Sequence, residues 1–196
     1  MKLRTSLNKN KTRIVFILSL FVLGIIVGVA IFIREPEIMK NIIVLEMDGF
    51  GDLIRSTNQN QILFNSLILL ILFLLNFTVI GFLGTLFYLF YQGCSLGFGV
   101  AVFAHTFGIG GLLFALLFNI VTKLVFILIL FYLVFLGIRV VKRIVGSIVL
   151  KKDEITYLFI KRHLMILGIV LGIGLINEII IFFLGNRILN LFVFLL

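Results

Sequence analysis

A chain of 196 residues that is 62% hydrophobic and only 13% charged departs from soluble domains, which are closer to half apolar and a quarter charged. Its mean hydropathy of +1.32 leaves too few polar residues to cover an apolar surface in water, and this excludes an ordinary soluble enzyme or carrier. The net charge of +9 is not a nucleic-acid signal either, because twelve of the 17 basic residues sit in two stretches that flank apolar runs, the positive-inside pattern of a membrane protein.

The first stretch, residues 1–13, carries Lys2, Arg4, Lys9, Lys11 and Arg13 and is expected in the cytoplasm. The run 14–33 has no charge and is long enough to cross the hydrocarbon core. It lacks an A-x-A cleavage site, so it reads as an uncleaved anchor rather than a signal peptide. Residues 34–61 follow, with Glu35, Pro36, Glu37, Glu46, Asp48 and Asp52 against three basic residues. They read as an extracytoplasmic loop, too short to fold as a catalytic domain.

The stretch 62–138 is expected to hold three core spans. Ile62 to Phe107 contains no Asp, Glu, Lys or Arg and is about 69 Å long as a helix, enough for two crossings. Tyr91, Gln92, Gly93, Ser95, Gly97 and Gly99 supply the expected break between them. Leu112 to Ile138 is the next crossing. Residues 139–163 form the second basic stretch. There Val140, Val141, Ile144, Val145, Ile148 and Val149 recur at helical spacing opposite Arg139, Lys142 and Arg143. That pattern predicts an amphipathic helix on the inner leaflet. The last span, Leu164 to Leu184, lies in 164–196, whose tail ends at the outer face. Two crossings within 62–107 put both basic stretches on one side, so parity favours five spans, with the N-terminus in the cytoplasm and the C-terminus outside. Lipid leaves only helices or closed barrels as spanning structures, and runs such as Leu67 to Leu75 lack the alternation of barrel strands. The fold expected is therefore all-α, a polytopic transmembrane helical bundle of about five spanning helices with a cytoplasmic amphipathic helix.

Small residues are the clearest candidates for packing or partner docking. Gly24 and Gly28 form G-x-x-x-G in the first span. Gly93, Gly97 and Gly99, and again Gly168, Gly172 and Gly174, form G-x-x-x-G-x-G. Glycines four apart share a helix face and let backbones approach, within the bundle or in an oligomer. Cys94 is the only cysteine, so no internal disulfide forms, and it reads as a small packing residue.

Chemistry is sparse. No catalytic motif, nucleotide loop or metal-ligand spacing occurs, and His105 and His163 stand far apart. No catalytic residue, cofactor or metal site is expected. Two charges lie at membrane depth, Lys123 and Glu178, where ionisable groups are costly and need a partner. The expected partners for Lys123 are Asn119, four residues away on the same face, or Glu178.

The middle of the chain resembles the stage II sporulation protein M family of bacterial membrane proteins. The matching elements are Asn65, Gly81, the tract Tyr91-Gln92-Gly93-Cys94-Ser95-Leu96-Gly97-Phe98-Gly99, and Phe107-Gly108-Ile109-Gly110-Gly111-Leu112-Leu113-Phe114-Ala115. Together they cover 62–138. Many family members carry a proline in the fourth span where this chain has Val121-Thr122-Lys123, so no helix break is implied there. The resemblance implies a non-enzymatic scaffold of the bacterial cell membrane that acts in sporulation. It would assemble at the septal membrane, during engulfment, with membrane-anchored peptidoglycan hydrolases. The rival expectation is a permease or channel subunit, in which Lys123, Glu178 and the glycine-rich third span line a path.

Overall fold

A computed structural model of the chain describes residues 2–34, 67–76, 78–148 and 157–192. Asn65, the expected outer loop beyond Arg34 and the stretch between the last two helices fall outside them. The described chain is all-helical. Helix α1 spans Lys2–Arg34, α2 covers 67–75, α3 spans Val79–Ile148 and α4 spans Tyr157–Phe192. Helix α3 has one residue outside helical geometry, Gly108 (φ 62°, ψ −140°), which divides it into arms α3a (79–107) and α3b (109–148). Four described helices are long and apolar enough to cross a membrane. The fifth expected crossing falls on α2, whose N-terminal continuation lies outside the described residues.

The directions of the helices follow from their contacts. Gly24 of α1 meets Gly93 of α3a, while further along both helices Phe32 sets its ring edge-on to Phe98 and His105 (centroids 6.1 and 5.5 Å). These two helices therefore run parallel. The arms of α3 run antiparallel, with Tyr88 against Phe126 (6.5 Å), Phe103 against Phe114 (5.3 Å) and Phe82 beside Gly137. Helix α2 folds back on the start of α3a, since the Leu75 backbone lies against Gly81. His163 of α4 lies beside Leu136 and Val140, and Ile173 beside Val125, so α4 runs antiparallel to α3b.

These directions gather the charged ends. Lys11 and Arg13, the 76–78 turn, Arg139, Lys142 and Arg143, and Lys161 and Arg162 all occupy one end of the bundle. Gly108 and Arg34 occupy the other.

Helix α3 is the centre of the bundle, contacting both α1 and α4, which do not touch each other among the described residues. The core joins Leu69, Leu72 and Phe73 of α2 to Leu89 of α3a, to Leu130, Leu133 and Val134 of α3b and to Val170 of α4. Most other apolar side chains point outward, including Ile26 and Ile33 of α1 and Ile169 and Ile176 of α4. That arrangement suits lipid as the surrounding solvent.

Two expectations change here. The break within Ile62–Phe107 lies at 76–78, not near Gly93, which sits inside unbroken helix. The glycines around Gly93 leave their helix intact, because a backbone group freed at that depth finds no water. The turn forms instead where side chains can satisfy those groups. Asn76 closes α2 by donating its backbone N–H to Leu72 O (3.1 Å). Thr78 opens α3 as its N-cap, its Oγ1 accepting from the Gly81 N–H (2.9 Å). The second change concerns 139–148. This stretch is helical, but it continues α3b without interruption rather than forming a separate helix. Arg139 stays close to the bundle, its guanidinium 4.4 Å above the Phe135 ring.

Candidate functional site

Three places concentrate the residues that the sequence singles out. The first is the crossing of α1 with α3a. A Cβ built on Gly24 would strike the Phe90 carbonyl, with Cys94 N and Gly93 Cα 3.2 Å away. One on Gly28 would strike the Cys94 carbonyl. Reciprocally, a Cβ on Gly93 would meet the Phe21 carbonyl, and one on Gly97 the Ile25 carbonyl. The two G-x-x-x-G motifs thus pack on each other, backbone to backbone, with the Cys94 backbone wedged between them. No side chain larger than hydrogen fits at these four positions without separating the helices. Gly99 has nothing within 4 Å and takes no part. Gly168 and Gly172, with the same spacing on α4, likewise have nothing within 4 Å. Gly81 belongs elsewhere, in the tight α2–α3a reversal.

The second place is a buried polar lock that sequence reasoning missed. Asn76 is 4% exposed and Thr85 fully buried. The Asn76 amide donates to the Leu133 carbonyl (3.3 Å). The Thr85 hydroxyl lies 3.2 Å from both Asn76 Oδ1 and the Gly81 carbonyl. Gly137 leaves the space that Asn76 and Phe82 fill, for a Cβ there would sit 2.6 Å from Asn76 Oδ1. One amide thereby ties the α2–α3a turn to α3b. The available signal was the pair Asn76 and Thr78, stop and start residues inside an apolar run.

The third place is the mid-depth polar strip between the two arms of α3. The ring pairs fix an antiparallel register that sets Gln92 level with Thr122, next to Lys123. Each neighbour is already engaged. Gln92 Nε2 donates to Tyr88 Oη (2.8 Å), Asn119 Nδ2 to the Ala115 carbonyl (2.7 Å) and Thr122 Oγ1 to the Phe118 carbonyl (2.7 Å). Lys123 is half-buried, and among the described residues none forms a hydrogen bond or ion pair with it. The expected pairing with Asn119 or Glu178 is therefore not made. Glu178, 6% exposed, lies close to the depth of Lys123, since Ile173 meets Val125 one turn away. However, α4 packs on the face of α3b that carries Val125, Ile129 and Tyr132. Two residues of helix turn the azimuth by about 200°, so Lys123 points away from α4.

His105 and His163 stand at opposite ends of the bundle, and no group of three metal-ligating side chains occurs among the described residues. Between α3b and α4 runs an open apolar groove lined by Val125, Leu128, Tyr132, Ile166 and Ile169. No family model, no curated protein and no solved structure matches the chain. The helices themselves give an all-helical, multi-pass membrane protein.

Proposed function

We propose that this protein is a non-enzymatic scaffold of the bacterial cell membrane, of the kind the resemblance to the stage II sporulation protein M family implies. It holds membrane-anchored peptidoglycan hydrolases at the septal membrane during engulfment. The observation that carries this reading is the position of the resembling tracts. Gly93 and Gly97 of the first tract receive α1. Gly108 and Gly111 of the second make the reversal between the arms of α3, with the Phe103 carbonyl against Gly111. Glycines of both resembling tracts thus stand where the bundle is built, as expected of a protein whose work is to be a rigid platform.

The gathering of Lys11, Arg13, Arg139, Lys142, Arg143, Lys161 and Arg162 at one end supports a cytoplasmic placement of that end. It follows that the N-terminus faces the cytoplasm and the C-terminus the outside. Reporter fusions after Lys152 will then read as cytoplasmic, and fusions near Asp48 and after Arg187 as external. An external reading at Lys152 removes this orientation. The partner assignment is tested by purifying the tagged full-length protein from sporulating cells in mild detergent. Peptidoglycan-degrading partners are expected to accompany it, and their absence sinks the assignment. A second reading, a permease or channel subunit, draws on the mid-depth Lys123. Its mark in the same experiment is a co-purifying ATPase.

A further inference from the structure

Lys123 presents a problem of physical chemistry that no described residue of the chain solves. A lysine at the centre of a spanning helix costs about 2.5–3.5 kcal/mol even on the most lenient insertion scales. Lys123 lies too deep for its ammonium to reach either interface. Its polar neighbours Gln92, Asn119 and Thr122 all donate elsewhere, and among the described residues none of their oxygens accepts from Lys123. Towards one side Lys123 borders the packed residues Phe126 and Leu130. Towards the other it borders Leu116 and Ile120, which are 39% and 53% exposed. Lys123 keeps part of its own surface exposed, so its side chain borders the lipid-facing side of α3b, where a further helix can reach it.

The charge says what that helix carries. From this helix geometry we infer that Lys123 is the docking point for a spanning helix of another protein that bears an Asp or Glu at mid-depth. Elimination within the chain supports a different polypeptide. Of the 8 acidic residues, Glu35, Glu37, Glu46, Asp48, Asp52, Asp153 and Glu154 all lie outside the apolar runs. Glu178 is the sole carboxylate at depth, and it is buried on α4 with an interaction of its own. A second copy offers at depth only the same buried Glu178. A carboxylate meets an ammonium in lipid with far less screening than in water, and each partner removes the other's insertion cost. The scaffold would then recognise a partner by one charge pair inside the membrane. This inference deepens the scaffold reading and rests on it.

The test places a photoreactive residue at position 120 of the full-length protein, in the membranes of the cells that produce it. A second probe at position 169, in the α3b–α4 groove, is the control. The expected result is a heterologous adduct at 120 whose cross-linked peptide is a spanning segment with an Asp or Glu. Its yield falls about tenfold in Lys123→Met and is kept in Lys123→Arg. Exchanging the charges, Lys123→Glu with the partner carboxylate replaced by Lys, restores it. In detergent without partner, Lys123→Met is expected to melt no lower than the wild type, which separates lost docking from lost folding. The inference is overturned by an adduct indifferent to Lys123→Met, by a partner segment without an acid, by an adduct only to a second copy, or by no adduct. It is also overturned if purified Lys123→Met melts well below the wild type, since the lysine then serves within the chain. If hydrolase partners still co-purify with Lys123→Met, the charge pair fails while the scaffold stands. If they do not co-purify with the wild type, the scaffold itself fails.

Discussion

The crossing of α1 with α3a and the outer face of α4 carry the same sequence signal and use it differently. Gly24 and Gly28 meet Gly93 and Gly97 with backbone against backbone, while Gly168 and Gly172 look into open space. Spacing alone says that two glycines share a face. Whether the face is used depends on a second smooth surface arriving opposite it. Here α1 supplies one for α3a, and no described helix supplies one for α4. The comparison separates three jobs that a glycine does in this molecule: making room at Gly97, permitting a backbone angle at Gly108, and neither at Gly172.

The largest effect is expected where space is used up. A Cβ at Gly28 or Gly97 meets a carbonyl of the opposite helix, and a backbone cannot move aside as a flexible side chain can. Gly28→Leu or Gly97→Leu should cost more than the about 1–3 kcal/mol typical of overpacking. The readout is loss of folded protein from the membrane and a lower melting temperature in detergent. Gly24→Leu belongs to the same class, since a Cβ there meets the Phe90 carbonyl. Both members of each pair stand in one crossing, so they should fail together. If Gly24→Leu alone is well tolerated, the reciprocal crossing is wrong.

Next comes Asn76, which secures a turn by side chain where Gly108 does so by backbone. Asn76→Ala removes the buried bonds to the Leu133 carbonyl and from the Thr85 hydroxyl, at about 0.5–1.5 kcal/mol each, while that hydroxyl keeps the Gly81 carbonyl. Thr85→Val should cost less in the Asn76→Ala background than alone, because the bond between the two side chains is already gone. Strict additivity of the two melting shifts would break the lock into independent parts. Gly108 sharpens the comparison from the other side. Nothing lies within 4 Å of a Cβ built there, so Gly108→Ala meets no atom and pays only for its positive φ, about 1–3 kcal/mol. A Gly108→Ala protein as stable as the wild type would show that the reversal accommodates an ordinary residue.

The helical class was legible in the sequence, because lipid removes every alternative to internally bonded backbone. The reversal at Gly108 was legible too, from the glycine-dense tract between two apolar runs. The turn at 76–78 was not. Its stability comes partly from local caps at Asn76 and Thr78, but also from the Leu133 carbonyl, 57 residues away. Glycine content pointed instead to residue 93, where the glycines make room for α1. Lys123 failed in a different manner. Sequence gives depth, and depth put Lys123 near the middle of its span and Glu178 in the outer half of the last one. It does not give the face on which α4 packs, and the two-residue offset from Val125 turns the ammonium away.

The smallest effect is expected on α4, where it tests whether glycine spacing carries any energy without an opposing surface. Gly172→Leu adds a side chain that finds nothing of this chain within 4 Å, in a helix whose neighbours Ile169 and Ile176 are more than half exposed. A leucine there faces lipid, which is as apolar as leucine itself. It also improves helix propensity over glycine by somewhat under 1 kcal/mol. The expected melting shift in detergent is therefore within about 0.5 kcal/mol of zero, or slightly stabilising. The same should hold for Gly168→Leu, since the two positions share one face. A loss comparable to Gly97→Leu would mean that a surface covers this stripe, and that the difference between the two regions lies in what each meets rather than in whether it is used.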